Sequence, residues 1–280
     1  MTFNRDRKNF KKIIILSVFS LIISSGSLFQ TSADEVDSPS VEYINGSQYT
    51  GIESIDRTPN ENSREVENIS IKPFEFTPTK IRSNSKRDGA NASKFDPREK
   101  GYMTGIRDQE NLGICWTFTG NATLETFLKL KGYGDFDLSE EHMRWWAKDN
   151  VYGWNIGDTQ GSTNETSVGY FTSWLGPKLE KDIPYNGKLT RENGAKKPAN
   201  YDSAPKLPYN VTGVISVAAD KTSVKNAIIN YGAVMSGYYD DKRYMSSDSN
   251  AYYLNEKLGQ NHAITIVGWD DNYPVNKFNG

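Results

Sequence analysis

The sequence predicts an α+β fold in two lobes, on three observations. Helix-period apolar patterns crowd the segment from Cys115 to Leu175, strand-period runs follow between Val211 and Trp269, and the residues from Asp34 to about Ser93 are too polar to join either group. At 280 residues the chain has room for about two domain units. With 36% hydrophobic and 24% charged residues it has an ordinary soluble balance, which excludes collagen-like and wholly disordered classes. A net charge of −2 supplies no bulk positive field, so nucleic acid is not an expected partner.

The N-terminal stretch has the layout of an export signal. Arg5, Arg7, Lys8, Lys11 and Lys12 precede the apolar run Ile13 to Ile23, and small residues lead to Thr31-Ser32-Ala33. Residues 1–33 are therefore read as a signal peptide, with an uncleaved anchor as the alternative, and the signal or anchor as the one expected membrane contact. Residues 34–93 are polar, with scattered Val66, Ile69, Ile71, Phe74 and Phe76, and cannot form a core alone. They read either as a spacer or as a propeptide lying over a site, with Lys80-Ile81-Arg82 and Lys86-Arg87 as exposed basic points for cutting. Residues 94–280 form the globular part.

Within it, Cys115 to Lys131 predicts a helix: Phe118, Ala122, Leu124, Phe127 and Leu128 recur on one side, and Gly132 and Gly134 stop it. Leu138 to Asp149 predicts a second, with Ser139 placed to cap it and Glu140 and Glu141 where the helix dipole favours acids. A third is expected from about Val168 to Leu175. The chain is then loop-rich from Tyr185 to Pro208. Strands are expected at Val211 to Val217, Ala233 to Tyr239 and His262 to Trp269, with a short helix at Ser223 to Tyr231 ended by Gly232.

Cys115 is the only cysteine, which excludes a disulfide within the chain and any Cys-x-x-Cys metal or redox site. No metal or organic cofactor is implied. At the first turn of a helix, where the positive end of the dipole favours a thiolate, Cys115 is a candidate nucleophile. A base must accompany it, and the chain has two histidines, His142 and His262.

The segment Phe95 to Phe118 resembles the start of the mature enzyme in papain-like cysteine peptidases. Asp96, Arg98, Gly101, Thr104, Gln109, Gly113, Cys115, Trp116 and Phe118 fall in register with that pattern. His262 opens Asn261-His-Ala-Ile-Thr-Ile-Val-Gly-Trp-Asp270, which resembles the strand bearing the family's histidine, at a separation from Cys115 inside the family's roughly 130 to 150 residues. His142, in Leu-Ser-Glu-Glu-His, matches the family's second helix and is read as structural.

The resemblance implies a papain-like fold, a helical lobe carrying Cys115 and a barrel-like lobe carrying His262. It implies a Cys115–His262 thiolate–imidazolium pair, with the Gln109 amide as an oxyanion donor. Gly161, in Gln160-Gly161-Ser162, matches the edge that pairs with substrate backbone. Ala263 matches a small residue bordering a substrate subsite. The expected activity is that of an exported endopeptidase acting on protein or peptide substrates, with its own propeptide as a further partner. Val267 to Tyr273 has the flavour of the family's bacterial cell-surface branch, so a secreted or cell-surface location in a bacterium, with cell wall as a partner, is the matching expectation.

Departures from the family pattern qualify the comparison. Leu112 stands where many members have a cysteine, and Ile114 replaces a small residue beside the nucleophile, where its branched side chain is expected to crowd the cleft. Gly280 also comes before any Asn-Ser-Trp-Gly segment, whose asparagine orients the histidine. Asn276 and Asn279 have no strand leading into them, and the expectation is a chain ending in a loop, with the last strands missing. The rival reading is an inactive papain-like surface protein that binds peptide or wall material; a transglutaminase-like acyl transferase fits the residues around Cys115 less well.

Overall fold

The computed structural model describes residues 80–81, 88–148, 155–247 and 251–278, together with the backbone of 11–17. Asn279 lies outside the described residues.

Three helices build the first lobe. Helix α1 spans Cys115–Leu130 and is buried along most of its length, because the apolar side of the predicted pattern meets partners on several faces. Helix α2, Glu140–Lys148, is capped as expected, the His142 N–H donating to Ser139 Oγ at 3.0 Å. Helix α3 spans Asn164–Thr172, starting and ending earlier than the apolar pattern indicated. The reason lies at its ends: Thr163 is extended just before it, and Trp174 just after it takes a left-handed φ of 61°. Helices α1 and α3 approach closely at Gly120, where a Cβ would come within 2.8 Å of Ser167 Cβ. Leu112, Trp116, Leu128, Met143, Trp146 and Phe171 are among the core they enclose.

The second lobe holds strand β3 (Tyr209–Ser216), helix α4 (Lys221–Tyr231), β4 (Val234–Tyr238) and β5 (His262–Ile266). Asp220 caps α4 by accepting from Ser223 N at 2.8 Å, and Gly232 ends it at φ 104°, a conformation that glycine tolerates without strain. Strands β4 and β5 pair antiparallel, with Tyr238 opposite His262 and Gly237 opposite Ala263. Val217, Ala227, Ile228 and Val234 form this lobe's core, and Ile81 joins them.

Strand β1, Lys11–Ser17, lies in the same sheet, whose order is β3-β1-β4-β5, parallel to β3. The register slips between Ile13 and Ile14, leaving Thr212 of β3 as the extra residue of a bulge. The start of the apolar run assigned to an export signal thus occupies a sheet position between β3 and β4.

The strand expected at His262 to Trp269 is broken. After Ile266 the chain turns, and Trp269–Asp270 forms β6, pairing antiparallel with β2, Lys94–Phe95. Gly268 permits the break, since a Cβ there would lie 2.3 Å from Phe95 O. Phe95 and Trp269 stack with centroids 5.0 Å apart, fastening the start of the globular part to the second lobe.

Candidate active site

Cys115 is the first residue of α1. Ile114, at the helix N-cap, offers no side-chain cap, so the Cys115 and Trp116 N–H groups stay available to the sulfur. The thiol is 7% exposed. Burial pushes its pKa up, and hydrogen bonds from the N–H groups of Ala263, Trp116 and Cys115 itself pull it down without overcoming that effect. The helix terminus assists the thiolate as the sequence implied, but desolvation outweighs it. Ile114 is 1% exposed and packs in the helical-lobe core with Leu112 and Trp116, so the bulk expected in the cleft is taken up by the core.

Helix α1 packs against β5. There the Ala263 N–H donates to Cys115 Sγ at 3.4 Å, so the strand that begins with His262 passes directly over the sulfur. Two residues distant in sequence are thereby brought to one place. Among the described residues no hydrogen bond joins the sulfur to the His262 ring, which is half-buried and packs edge-on against Tyr238 with centroids 5.7 Å apart.

Gln109 lies in the turn that feeds α1. Its Nε2 donates to Leu112 O at 2.9 Å, and Tyr185 OH donates to Gln109 O at 2.6 Å. Arg107 pins the same segment to α1 through Glu125 at 2.9 Å. The Gln109 amide is thus held beside the turn that leads into Cys115, with one N–H engaged there. Gly161 has φ 71° and open space where a Cβ would project. Its backbone lies against Gly113, two residues before Cys115, where an added Cβ would meet Gly161 N at 3.2 Å. Cys115, Ala263, Gln109 and Gly161 therefore border one region where the lobes meet. Asn276 is exposed in a 3-10 turn at Val275–Lys277.

His142 belongs elsewhere: it is 2% exposed, its Nδ1 is 2.6 Å from Tyr170 OH, and its ring stacks on Tyr201 at 4.2 Å. The sequence did not signal Tyr185 or Tyr238, nor the cluster of Arg144, Asp158 and Arg191 behind Gly161, in which Arg144 and Asp158 pair at 2.7 Å with no side-chain exposure. These residues sit on different elements, and single-sequence periodicity carries no information about such partners. Among the described residues no helix is long and apolar enough to cross a membrane, and no group of three or more His, Cys, Asp or Glu could hold a metal ion.

Residues 91–278 match the papain family cysteine protease profile. Cysteine proteinase 2 of Entamoeba histolytica is 31% identical over 187 residues, covering 62% of this chain and 53% of that protein. Rat cathepsin S is 26% identical over 201 residues, covering 67% of this chain and 56% of its own. The chain spans about half the length of these curated relatives. A crystal structure of the cysteine protease and lectin-like domains of Cwp84, a surface layer associated protein of Clostridium difficile, superposes with TM-score 0.67 at 48% identity. It covers 73% of this chain and 43% of that one. A second structure of Cwp84, a cysteine-to-alanine variant after propeptide cleavage, gives TM-score 0.64 at 50% identity, with coverage of 67% and 46%. With a profile match over most of its length, and with the helix that begins at Cys115 docked on the strand that begins at His262, the chain belongs to the papain family of cysteine proteases.

Proposed function

We propose that this chain is an exported cysteine endopeptidase that cuts proteins at or outside the cell surface, with Cys115 as nucleophile and His262 as general base. The observation that carries this reading is the 3.4 Å contact between the Ala263 N–H and Cys115 Sγ, which puts the histidine-bearing strand on the sulfur. Because burial holds the thiol's pKa up, in this reading the thiolate forms by proton transfer to the His262 imidazole rather than by spontaneous ionisation.

The sulfur then attacks a peptide carbonyl. Cys115 N–H and the second N–H of Gln109 Nε2 donate to the developing oxyanion, a role that preorganised donors in a dry site perform well. The imidazolium protonates the leaving amine, and water hydrolyses the acyl-enzyme in the reverse sequence. Gly161 and Ala263 border the substrate, Gly161 by pairing with its backbone.

Residues 34–93 act in this reading as a propeptide. Support comes from Ile81, which is 9% exposed in the second lobe's core and whose carbonyl accepts from Asn226 Nδ2 at 2.9 Å. Of the suggested cutting points, Lys80 is exposed and Ile81 is buried, so a cut on the C-terminal side of this anchor releases the segment only after Ile81 leaves its site. A surface location is supported by the likeness to a surface layer associated protein, and by the basic–apolar N-terminus. Removal of residues 1–33 would also remove β1 from the sheet.

A second reading, a papain-like surface protein that binds peptide or wall material without cutting it, draws on the raised thiol pKa and the lack of a sulfur–imidazole hydrogen bond among the described residues. Iodoacetamide at neutral pH separates the two. Rapid alkylation of Cys115, lost in His262→Ala, is the expected result; alkylation no faster than that of a small free thiol would favour the binder.

A further inference from the structure

We infer that Asp158, clamped by Arg144 and Arg191, is a positioning residue that sets the substrate-binding edge Gly157–Gly161 against the backbone entering Cys115. The inference rests on the peptidase reading for what the edge binds, and on geometry for how the edge is held.

The Asp158 carboxylate is fully buried and saturated with donors. Arg144 meets it with two bonds, Nε to Oδ1 at 2.9 Å and Nη2 to Oδ2 at 2.7 Å. Arg191 adds its backbone N at 2.7 Å and Nε at 3.2 Å to Oδ2, and Nη2 at 2.6 Å to Oδ1. Each guanidinium is committed in turn. Arg144 Nη1 pairs with Glu141 Oε2 at 2.9 Å and donates to Asn186 O at 3.0 Å, while Nη2 reaches Leu189 O at 2.8 Å. Arg191 Nη2 donates to Ile156 O at 2.7 Å, and its guanidinium lies over Trp145 at 5.2 Å. Two cations balance two carboxylates. Burial pushes the Asp158 carboxyl up, and the Arg144 and Arg191 donors outweigh it, so the carboxyl stays below its usual range.

This cluster connects to the site through backbone. Asp158 O accepts from Gly113 N at 2.7 Å. At Gly113 a Cβ would meet Thr159 C at 3.1 Å and Gly161 N at 3.2 Å, so the edge and the approach to Cys115 are in contact. The loop closes on itself where Gly157 N donates to Gln160 Oε1 at 2.9 Å. With Cys115 the only cysteine, no disulfide within the chain can join these segments. Buried ion pairs are a poor source of net stability compared with apolar packing, but two-point guanidinium bonds fix orientation closely. Four charges at the back of this edge, next to the apolar cluster containing Leu112 and Ile156, fit a demand for geometry.

The test uses the full chain, with fluorescein-labelled casein and iodoacetamide as probes. Asp158→Asn is expected to raise KM for casein about tenfold while kcat stays within about threefold, the signature of lost substrate positioning. Alkylation of Cys115 by iodoacetamide, which does not use the edge, is expected to stay within about twofold of wild type. A folded variant with unchanged KM overturns the inference, as does an equal loss of iodoacetamide reactivity. Should Asp158→Asn fail to fold, Arg191→Met removes one guanidinium and leaves the Arg144 pair; an unchanged KM there overturns it equally. If the wild type neither labels rapidly nor cuts casein, the peptidase reading falls on its own. Casein affinity by fluorescence anisotropy then decides Asp158, with the same tenfold weakening expected and no weakening overturning the inference.

Discussion

Single side chains at the centre of this molecule titrate in opposite senses. Burial drives the His142 pKa down to about 3, and Lys178 and Lys197 add to the effect. Below about pH 6.5 the unfolded chain takes up a proton that the native state refuses, so this contribution to stability is complete above 6.5 and is lost as pH falls toward 3. Glu140 behaves in reverse: burial raises it to about 8, with Arg107 opposing and Glu125 reinforcing the rise, and its contribution is complete below about 4.5 and lost as pH rises through 8. Urea denaturation of Glu140→Gln should therefore show a flatter stability profile than wild type between pH 5 and 8, and His142→Gln a flatter one between pH 6.5 and 4; parallel profiles would contradict the assigned protonation states. At the proposed site, Gln109→Ala should lower kcat by about 100- to 1000-fold if its amide serves the oxyanion, with iodoacetamide labelling of Cys115 retained.

At the scale of elements, the residues that mark ends were more readable than those that mark partners. Ser139 before α2 and Gly232 after α4 were legible because capping depends on local chemistry. Asp220→Ala, which removes the cap on α4, should cost about 1 kcal/mol in a denaturant titration. The break between β5 and β6 was not legible, because Ile264 to Trp269 is largely apolar and a continuous strand would satisfy the same pattern. What breaks it is the approach of Phe95 O to Gly268, a contact between segments far apart in sequence. Gly268→Ala should open the β2–β6 pair and destabilise the fold by about 1 to 3 kcal/mol. Amide exchange should rise at Phe95 and Trp269 while α1 stays protected.

For the molecule as a whole, the two lobes meet where α1 packs against β5, so the site exists only when both are folded and docked. The sheet of the second lobe includes β1, paired with β3 from Lys11↔Tyr209 to Ser17↔Ser216. A chain lacking residues 1–33 should exchange the Tyr209–Ser216 amides faster than the full chain, because these backbone groups lose their partner; equal protection would mean that β1 contributes nothing to the sheet in solution. Amino-acid order alone determined α1, α2 and α4 and the cores of β3, β4 and β5 by their periods, the lone thiol at a helix start, and the histidine heading an apolar strand, since each depends on neighbours along the chain. Only the tertiary structure decided that Ile114 belongs to the core, that Ala263 faces the sulfur, and that Asp158 gathers two arginines behind Gly161. Those facts depend on which distant segments share a volume and exclude water from it, and that is settled when the chain closes on itself.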